Sequence, residues 1–323
     1  MKAAYRTQYG TADVLSVREI ETPEPGDDEI LVKVASTTVN RTDCANLTGK
    51  PLIMHLVIGL FKPKNPVPGT DFSGVVVKKG KHASRFSEGD RVWGFKDDGC
   101  GSQAEYMCIA DKGPVAKAPA NIALTELSAC IEGAHYALNF LNKVRINPGD
   151  HIMVNGGTGA RGSAMIQLLK AKGCHITATC RKIHSEKILE LGAGRTIDYE
   201  NEDFTMDDEK YDFVFDCVGK STFGACSRLL KPTGTYISSE LGPFGQNPLL
   251  ALATPLTKGK TVRFPIPLNT AKSLEQISSL IENGYFKPLI DKILPLEHVQ
   301  EAYDYVLSGQ KTGNVILQIN TDD

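Results

Sequence analysis

Apolar positions follow two different periods along the chain. In the first third they alternate. Ile30, Val32 and Val34 are interleaved with Leu31 and Lys33, and Val75-Val76-Val77 is a β-branched run, so this region reads as strands. Turn residues punctuate it at Pro23-Glu24-Pro25-Gly26, Pro66-Val67-Pro68-Gly69 and Glu88-Gly89-Asp90. From about Thr125 the period lengthens. Leu127, Cys130, Ile131, Ala134, Leu138 and Leu141 fall on one helical face. After the turn Asn147-Pro148-Gly149-Asp150, strands and helices alternate. Strands are predicted at His151–Asn155, His175–Ala178, Thr196–Ile197, Phe213–Phe215, Thr235–Ile237 and Thr261–Phe264. Ser185 is placed to cap a helix through Leu191, with Gly192 just past its end. A further helix is expected near Phe223–Leu230, and Leu274, Ile277, Leu280 and Ile281 mark one stopped by Gly284. Val315–Ile319 returns to strand character and is expected to rejoin the first domain. The alternation predicts an α/β fold with a doubly wound parallel sheet.

Composition narrows the function classes. Hydrophobic residues are 41% and charged residues 23%, as in an ordinary globular protein, and 323 residues suffice for about two domains. A net charge of −2 supplies no basic field for nucleic acid. Met1-Lys2-Ala3-Ala4-Tyr5-Arg6 lacks the apolar core of a signal peptide, and the longest apolar stretch, Pro51–Phe61, falls short of the roughly 20 residues that span a bilayer. No membrane partner is expected. None of the eight cysteines forms a C-x-x-C pair, which suits reduced thiols in the cytosol.

The most informative chemistry is the glycine-rich turn after the strand His151–Asn155. Gly157, Gly159 and Gly162 fit G-x-G-x-x-G, with a strand before and a helix after. Glycine permits the tight turn and lets the backbone approach a pyrophosphate, while the helix start offers unpaired N–H groups. The plainer alternative is a turn that packs a helix on a sheet. Readers of NAD usually carry an acid about 20 residues past the glycines, bonded to the ribose 2′-OH. Here the place reads Thr179-Cys180-Arg181-Lys182, with two cations and no acid. A guanidinium grips a phosphate through paired hydrogen bonds, so NADPH is the expected cofactor. The alternative is a pair of solvated surface charges.

Taken together, the chain resembles the medium-chain dehydrogenase/reductase superfamily, specifically its zinc-free quinone oxidoreductase branch. The resemblance runs nearly end to end. It is carried by Val39-Asn40-Arg41-Thr42-Asp43, Pro68-Gly69-Thr70-Asp71-Phe72-Ser73-Gly74, Gly89-Asp90-Arg91-Val92-Trp93-Gly94, the glycine loop, Leu191-Gly192-Ala193-Gly194 with Ile197-Asp198-Tyr199, Tyr211-Asp212 through Gly219, and Gly313-Asn314-Val315-Ile316-Leu317. It implies a GroES-like catalytic domain over 1–122, completed by 291–323, and an inserted Rossmann NADP-binding domain over 123–290. The active site is then expected in the cleft between them, and the protein as a homodimer. Zinc relatives carry cysteine where this chain has Asn40 and a histidine-glutamate pair where it has Thr70-Asp71; Cys130 alone cannot assemble a site, so no metal is expected.

The resemblance also implies contacts. Gly156, Gly157, Thr158, Gly159, Ala160, Arg161 and Gly162 hold the pyrophosphate; Arg161 stands where the family often has a small apolar residue and is either a phosphate contact or an exposed first-turn residue. Cys180, Arg181 and Lys182 meet the 2′-phosphate, Tyr199 packs at the adenine end, and Cys217, Val218 and Gly219 line the nicotinamide ribose, with Ser238 and Leu241 on the next loop. Asn40 and Asp43 are the candidate catalytic residues. The Asn40 amide either donates to the substrate carbonyl oxygen or serves the core, and Asp43 serves chemistry or structure. The expected activity is hydride transfer from NADPH to a small hydrophobic quinone or α,β-unsaturated carbonyl. Two other readings are a coenzyme-binding partner or sensor without turnover, and an alcohol dehydrogenase.

Overall fold

The computed structural model describes residues 1–320; residues 321–323, the end of the segment expected to complete the first domain, lie outside the described residues, as does the Ile53 side chain. The chain divides into two compact units, Met1–Glu132 with Asn269–Asp323, and Gly133–Leu268. Among the described residues no helix is long and apolar enough to cross a membrane.

The first unit is built on a mostly antiparallel sheet. Its long strand, Glu29–Val39, pairs with Asp71–Lys79, with Tyr106–Ala110 and with the late strand Asn314–Gln318. Alternation along that strand does the work the sequence suggests: Ile30, Val32 and Val34 are fully buried, and they pack with Phe72, Val76, Val92 and Met107. The second cluster lies under the helix Val299–Leu307. Its Val299, Ala302, Tyr303 and Val306 meet Ala4, Leu15, Val39 and Leu47. The apolar stretch Pro51–Phe61 forms a 3₁₀ turn, Leu52–Met54, and a short helix, His55–Ile58.

The long helix expected from Thr125 is interrupted. A helical turn, Leu124–Leu127, gives way to a 3₁₀ turn, Ser128–Cys130, and then to the helix Glu132–Leu141. The cause is competition for one carbonyl. Ser36 and Ser73, from two strands, both donate to the Leu124 oxygen that a continuing helix would use. Ser128 Oγ, 2.7 Å from Ser36 Oγ, completes this buried hydroxyl cluster.

The second unit is a six-stranded parallel sheet. In chain order the strands are His151–Asn155, His175–Cys180, Arg195–Asp198, Tyr211–Asp216, Leu230–Ser238 and Thr261–Arg263. In space the order is third, second, first, fourth, fifth, sixth. This is the doubly wound arrangement, and its direction reverses between the first and fourth strands. Several boundaries differ from the sequence reading. Ser185 is the first residue of its helix, Ser185–Leu191, because a 3₁₀ turn over Lys182–His184 precedes it. The helix near Phe223 ends at Cys226, a 3₁₀ turn follows, and Leu230 already belongs to the fifth strand, paired with Tyr211.

Candidate functional site

At the carboxyl edge of the parallel sheet, polar residues close otherwise apolar strands. Asn155 ends the first strand and Asp216 the fourth, and both are buried. Asn155 Nδ2 donates to Asp216 Oδ1 at 3.1 Å, and its Oδ1 accepts from the Thr179 hydroxyl at 2.8 Å. Thr179 in turn accepts from the Gly156 N–H at 2.8 Å, while its main-chain carbonyl accepts from Gly157 N–H. The glycine loop is thereby tied to the second strand at its start. Asp216 takes further bonds from the N–H groups of Val218, Gly219 and Ser221 and from the Tyr236 hydroxyl. Burial, reinforced by that carboxylate, drives the Tyr236 hydroxyl far above its ordinary range, so it stays a donor.

The loop glycines are required by space as well as by conformation. Gly156 has φ +88°, and a Cβ there would strike Val218; a Cβ on Gly162 would strike the Gly156 carbonyl oxygen. Gly159, by contrast, has only that same oxygen nearby, at 3.8 Å, and faces open space. It caps the helix Ala160–Lys170 with no side-chain hydrogen bond. Ala160, Arg161 and Gly162 form the first turn of this helix, where an α-helix leaves its N–H groups without intrahelical partners. Helix-start donors, a helix dipole and the open space at Gly159 make a cradle that fits the pyrophosphate of a dinucleotide.

The other anticipated residues fall into two groups on this edge. Cys180, Arg181, Lys182 and Tyr199 gather where the second and third strands end, and the Tyr199 N–H donates to the Cys180 carbonyl at 3.3 Å. Tyr199 is half exposed, and Arg181 is half-buried with Nη2 3.4 Å from His184 Nε2. Neither Arg181 nor Lys182 forms an ion pair among the described residues. The nearby carboxylate, Asp198, is held below its usual range, first by Asn201 and also by the Lys182 main chain. Cys217, Val218, Gly219, Ser238 and Leu241 follow the fourth and fifth strands. The Cys217 N–H donates to the Asn155 carbonyl at 3.0 Å, Ser238 is buried, and Leu241 is half exposed.

Arg161 takes a course of its own. Its guanidinium lies over Tyr136 and Phe140, 5.1 and 5.4 Å from their ring centres, and Nη1 donates to Ser239 Oγ at 2.7 Å. The head group therefore leaves the helix start and reaches the loop after the fifth strand. Asn155, Thr179, Asp216 and Tyr236 were not singled out in the sequence. A polar residue ending an apolar run, as in Met153-Val154-Asn155 and Phe213-Val214-Phe215-Asp216, was the available signal.

Asn40 and Asp43 lie in the first unit, and both are buried. They form a capping box on the helix Arg41–Thr48: Asn40 Oδ1 accepts from the Asp43 N–H at 2.8 Å and Asp43 Oδ2 from the Asn40 N–H at 3.1 Å. The Asn40 amide donates to Thr70 Oγ1 at 3.1 Å. Asp71, also fully buried, accepts from the Thr38 N–H at 2.6 Å. Burial pushes Asp43 well up, with Asp71 and Glu132 adding repulsion. Burial likewise pushes Asp71 up to about 7, against the hydrogen bonds from Thr38. The unfolded carboxyl titrates near 3.8, so between there and about 7 the folded chain holds the proton that the unfolded chain has lost. Stability from this group is therefore lost as pH rises across that window. Urea midpoints taken from about pH 5 to 8 are expected to fall for the wild type and to fall less for Asp71→Asn. Equal slopes for the two proteins would contradict it.

Known proteins give the site its context. Residues 26–120 match the alcohol dehydrogenase GroES-like domain family, and residues 191–317 match a family described as zinc-binding dehydrogenase. The chain is 31% identical to 2-methylene-furan-3-one reductase of Solanum lycopersicum over 98% of its own length and 79% of that protein's. It is 30% identical to the chloroplastic NADPH-dependent alkenal/one oxidoreductase of Arabidopsis thaliana, with the same coverage of each. Its fold matches the quinone oxidoreductase from Coxiella burnetii with a TM-score of 0.86, at 24% identity and with 99% of each chain covered.

Proposed function

The chain belongs to the medium-chain dehydrogenase/reductase superfamily, and from that membership we propose that it is an NADPH-dependent, zinc-independent reductase of quinones or α,β-unsaturated carbonyls. One observation carries this reading. An uncapped helix start at Gly159–Gly162 shares the sheet edge with Arg181 and Lys182, two cations without ion-pair partners among the described residues. When bound, NADPH supplies the hydride. The chain's own residues bind and orient the coenzyme. The main-chain donors of 158–162 meet the pyrophosphate, Arg181 and Lys182 meet the 2′-phosphate, and Tyr199 packs at the adenine end. Cys217, Val218, Gly219, Ser238 and Leu241 line the other mononucleotide.

Zinc independence rests on the chemistry of the donor set. Asn40 uses its amide oxygen on the Asp43 N–H and its amide nitrogen on Thr70. Burial holds the Cys130 thiol far above its usual pKa, so thiolate is scarce there. In this reading Asn40 and Asp43 hold the helix Arg41–Thr48 in place. We also expect a cytosolic homodimer. The sixth strand is an open sheet edge, and Leu249, Leu252 and Leu256 close to it in sequence are exposed.

Steady-state NADPH oxidation with a panel of quinones, enals and enones tests the assignment. Turnover of at least one acceptor class is expected, and it is expected to survive exhaustive chelation. Tight NADPH binding with no turnover on any acceptor would favour a binding or sensing protein. Turnover of simple alcohols that disappears on chelation would favour a zinc alcohol dehydrogenase.

A further inference from the structure

The course of Arg161 bears on which redox form of the coenzyme the site accepts. Doubly wound sheets of this strand order hold a dinucleotide across two mononucleotide halves. The half that carries the residues after the second strand receives the adenine ribose. The nicotinamide half then lies over the fourth, fifth and sixth strands. Arg161 starts on the glycine-loop side but delivers its charge to that second half. Its Nη1 is bonded to Ser239, in the loop after the fifth strand, at 2.7 Å. It also lies close enough to Cys217, just past the fourth strand, to act on that thiol electrostatically.

Several features keep the charge there. Tyr136 and Phe140 receive the guanidinium on their faces, at 5.1 and 5.4 Å. No carboxylate pairs with it among the described residues. Its Nε is buried without a hydrogen-bond partner, so the protein alone does not satisfy the group. In the proposed reading main-chain N–H groups serve the pyrophosphate at this turn, and the Arg161 side chain, bonded to Ser239, serves elsewhere.

The nicotinamide ring is cationic when oxidised and neutral when reduced. A fixed cation beside it repels one form and not the other, and the repulsion is strong where solvent is thin. We propose that Arg161 sets the redox preference of the coenzyme site, holding a positive charge against the nicotinamide half so that NADPH binds in preference to NADP⁺. This inference rests on the assignment of the coenzyme made above. Reduced coenzyme then loads in preference and the oxidised product leaves readily, while the bound couple is a weaker hydride donor than the free one because its reduced form is held more tightly.

Dissociation constants for NADPH and NADP⁺, measured by calorimetry on the full chain, test it. In Arg161→Leu the ratio of the NADP⁺ constant to the NADPH constant is expected to fall on the order of tenfold. In Arg161→Lys, which keeps the charge, it is expected to stay near the wild-type value. An unchanged ratio in Arg161→Leu overturns the proposal. So does an equal weakening of both forms, which would mean a phosphate contact or a structural role. If Arg161→Leu does not fold, Arg161→Gln puts the same question to a neutral side chain. Failure of the wild type to bind either form would overturn the coenzyme assignment itself, a result distinct from an unchanged ratio.

Discussion

Replacing Arg181 and Lys182 together with glutamate is expected to raise the KM for NADPH on the order of 100- to 1,000-fold while changing kcat little. Two charge-assisted contacts to a phosphate contribute about 1.5–3 kcal/mol each, and the new carboxylates add repulsion. Every 1.4 kcal/mol is about tenfold in affinity. NADH lacks the 2′-phosphate, so its KM is expected to move much less, and the preference between the two coenzymes narrows or inverts. The site makes this a clean comparison. Arg181 and Lys182 hold no ion pair within 4 Å among the described residues, and the charge of the exposed Lys182 acts on Asp198 more weakly than the hydrogen bonds that carboxylate accepts. Steady-state rates at saturating acceptor, with each coenzyme varied in turn, give the answer. An unaltered NADPH preference in the double variant would sink the 2′-phosphate assignment.

Removing the Asp216 carboxylate is expected to be the most damaging single change to the second unit. Its oxygens accept from Asn155 Nδ2, from the N–H groups of Val218, Gly219 and Ser221, and from the Tyr236 hydroxyl. The residue is fully buried, so alanine would strand the Asn155 amide and the N–H groups of Gly219 and Ser221 with little water, while the Tyr236 hydroxyl keeps the Ser221 carbonyl at 3.2 Å. Each buried donor left unpaired costs about 1–3 kcal/mol, and relaxation recovers part of that, so a loss of about 3–5 kcal/mol is expected for Asp216→Ala. Asp216→Asn should lose less, because its amide oxygen still accepts while its NH₂ meets donors head on. Urea denaturation followed by circular dichroism measures the loss. The glycine loop hangs from the same network through Asn155 and Thr179, so coenzyme affinity should fall along with stability. A stability change within about 0.5 kcal/mol, typical of a surface substitution, would show that the network does not hold this edge together.

Local signals carried much of the second unit. The first, second, fourth and fifth strands were legible as short runs rich in apolar and β-branched residues bounded by turns, and the short third and sixth by their place in the alternation. The glycine loop was legible because its glycines answer to a turn and a close backbone approach, both set within a few residues. Boundaries were harder. The fifth strand runs from Leu230 although Lys231-Pro232-Thr233-Gly234 reads as a turn, because Leu230 pairs with Tyr211 across a register shift. The helix expected to run on from Thr125 breaks at Ser128–Cys130, because hydroxyls of Ser36 and Ser73, far away in sequence, capture the Leu124 carbonyl.

Alone, the order of residues determined which chemical groups this protein owns: a glycine turn open to phosphate, two cations in place of an acid after the second strand, and amide and hydroxyl groups where zinc relatives have thiolate and imidazole. Those traits are properties of neighbouring residues, set by backbone sterics and side-chain type. Only the tertiary structure decided where long-range partners meet. It brought Thr179 and Asp216 to Asn155, turned Arg161 toward Ser239 instead of the phosphate turn, and set the Asn40 amide against Thr70. A hydrogen bond between residues 60 or 80 positions apart depends on sheet order and packing, which residue spacing along the chain does not encode.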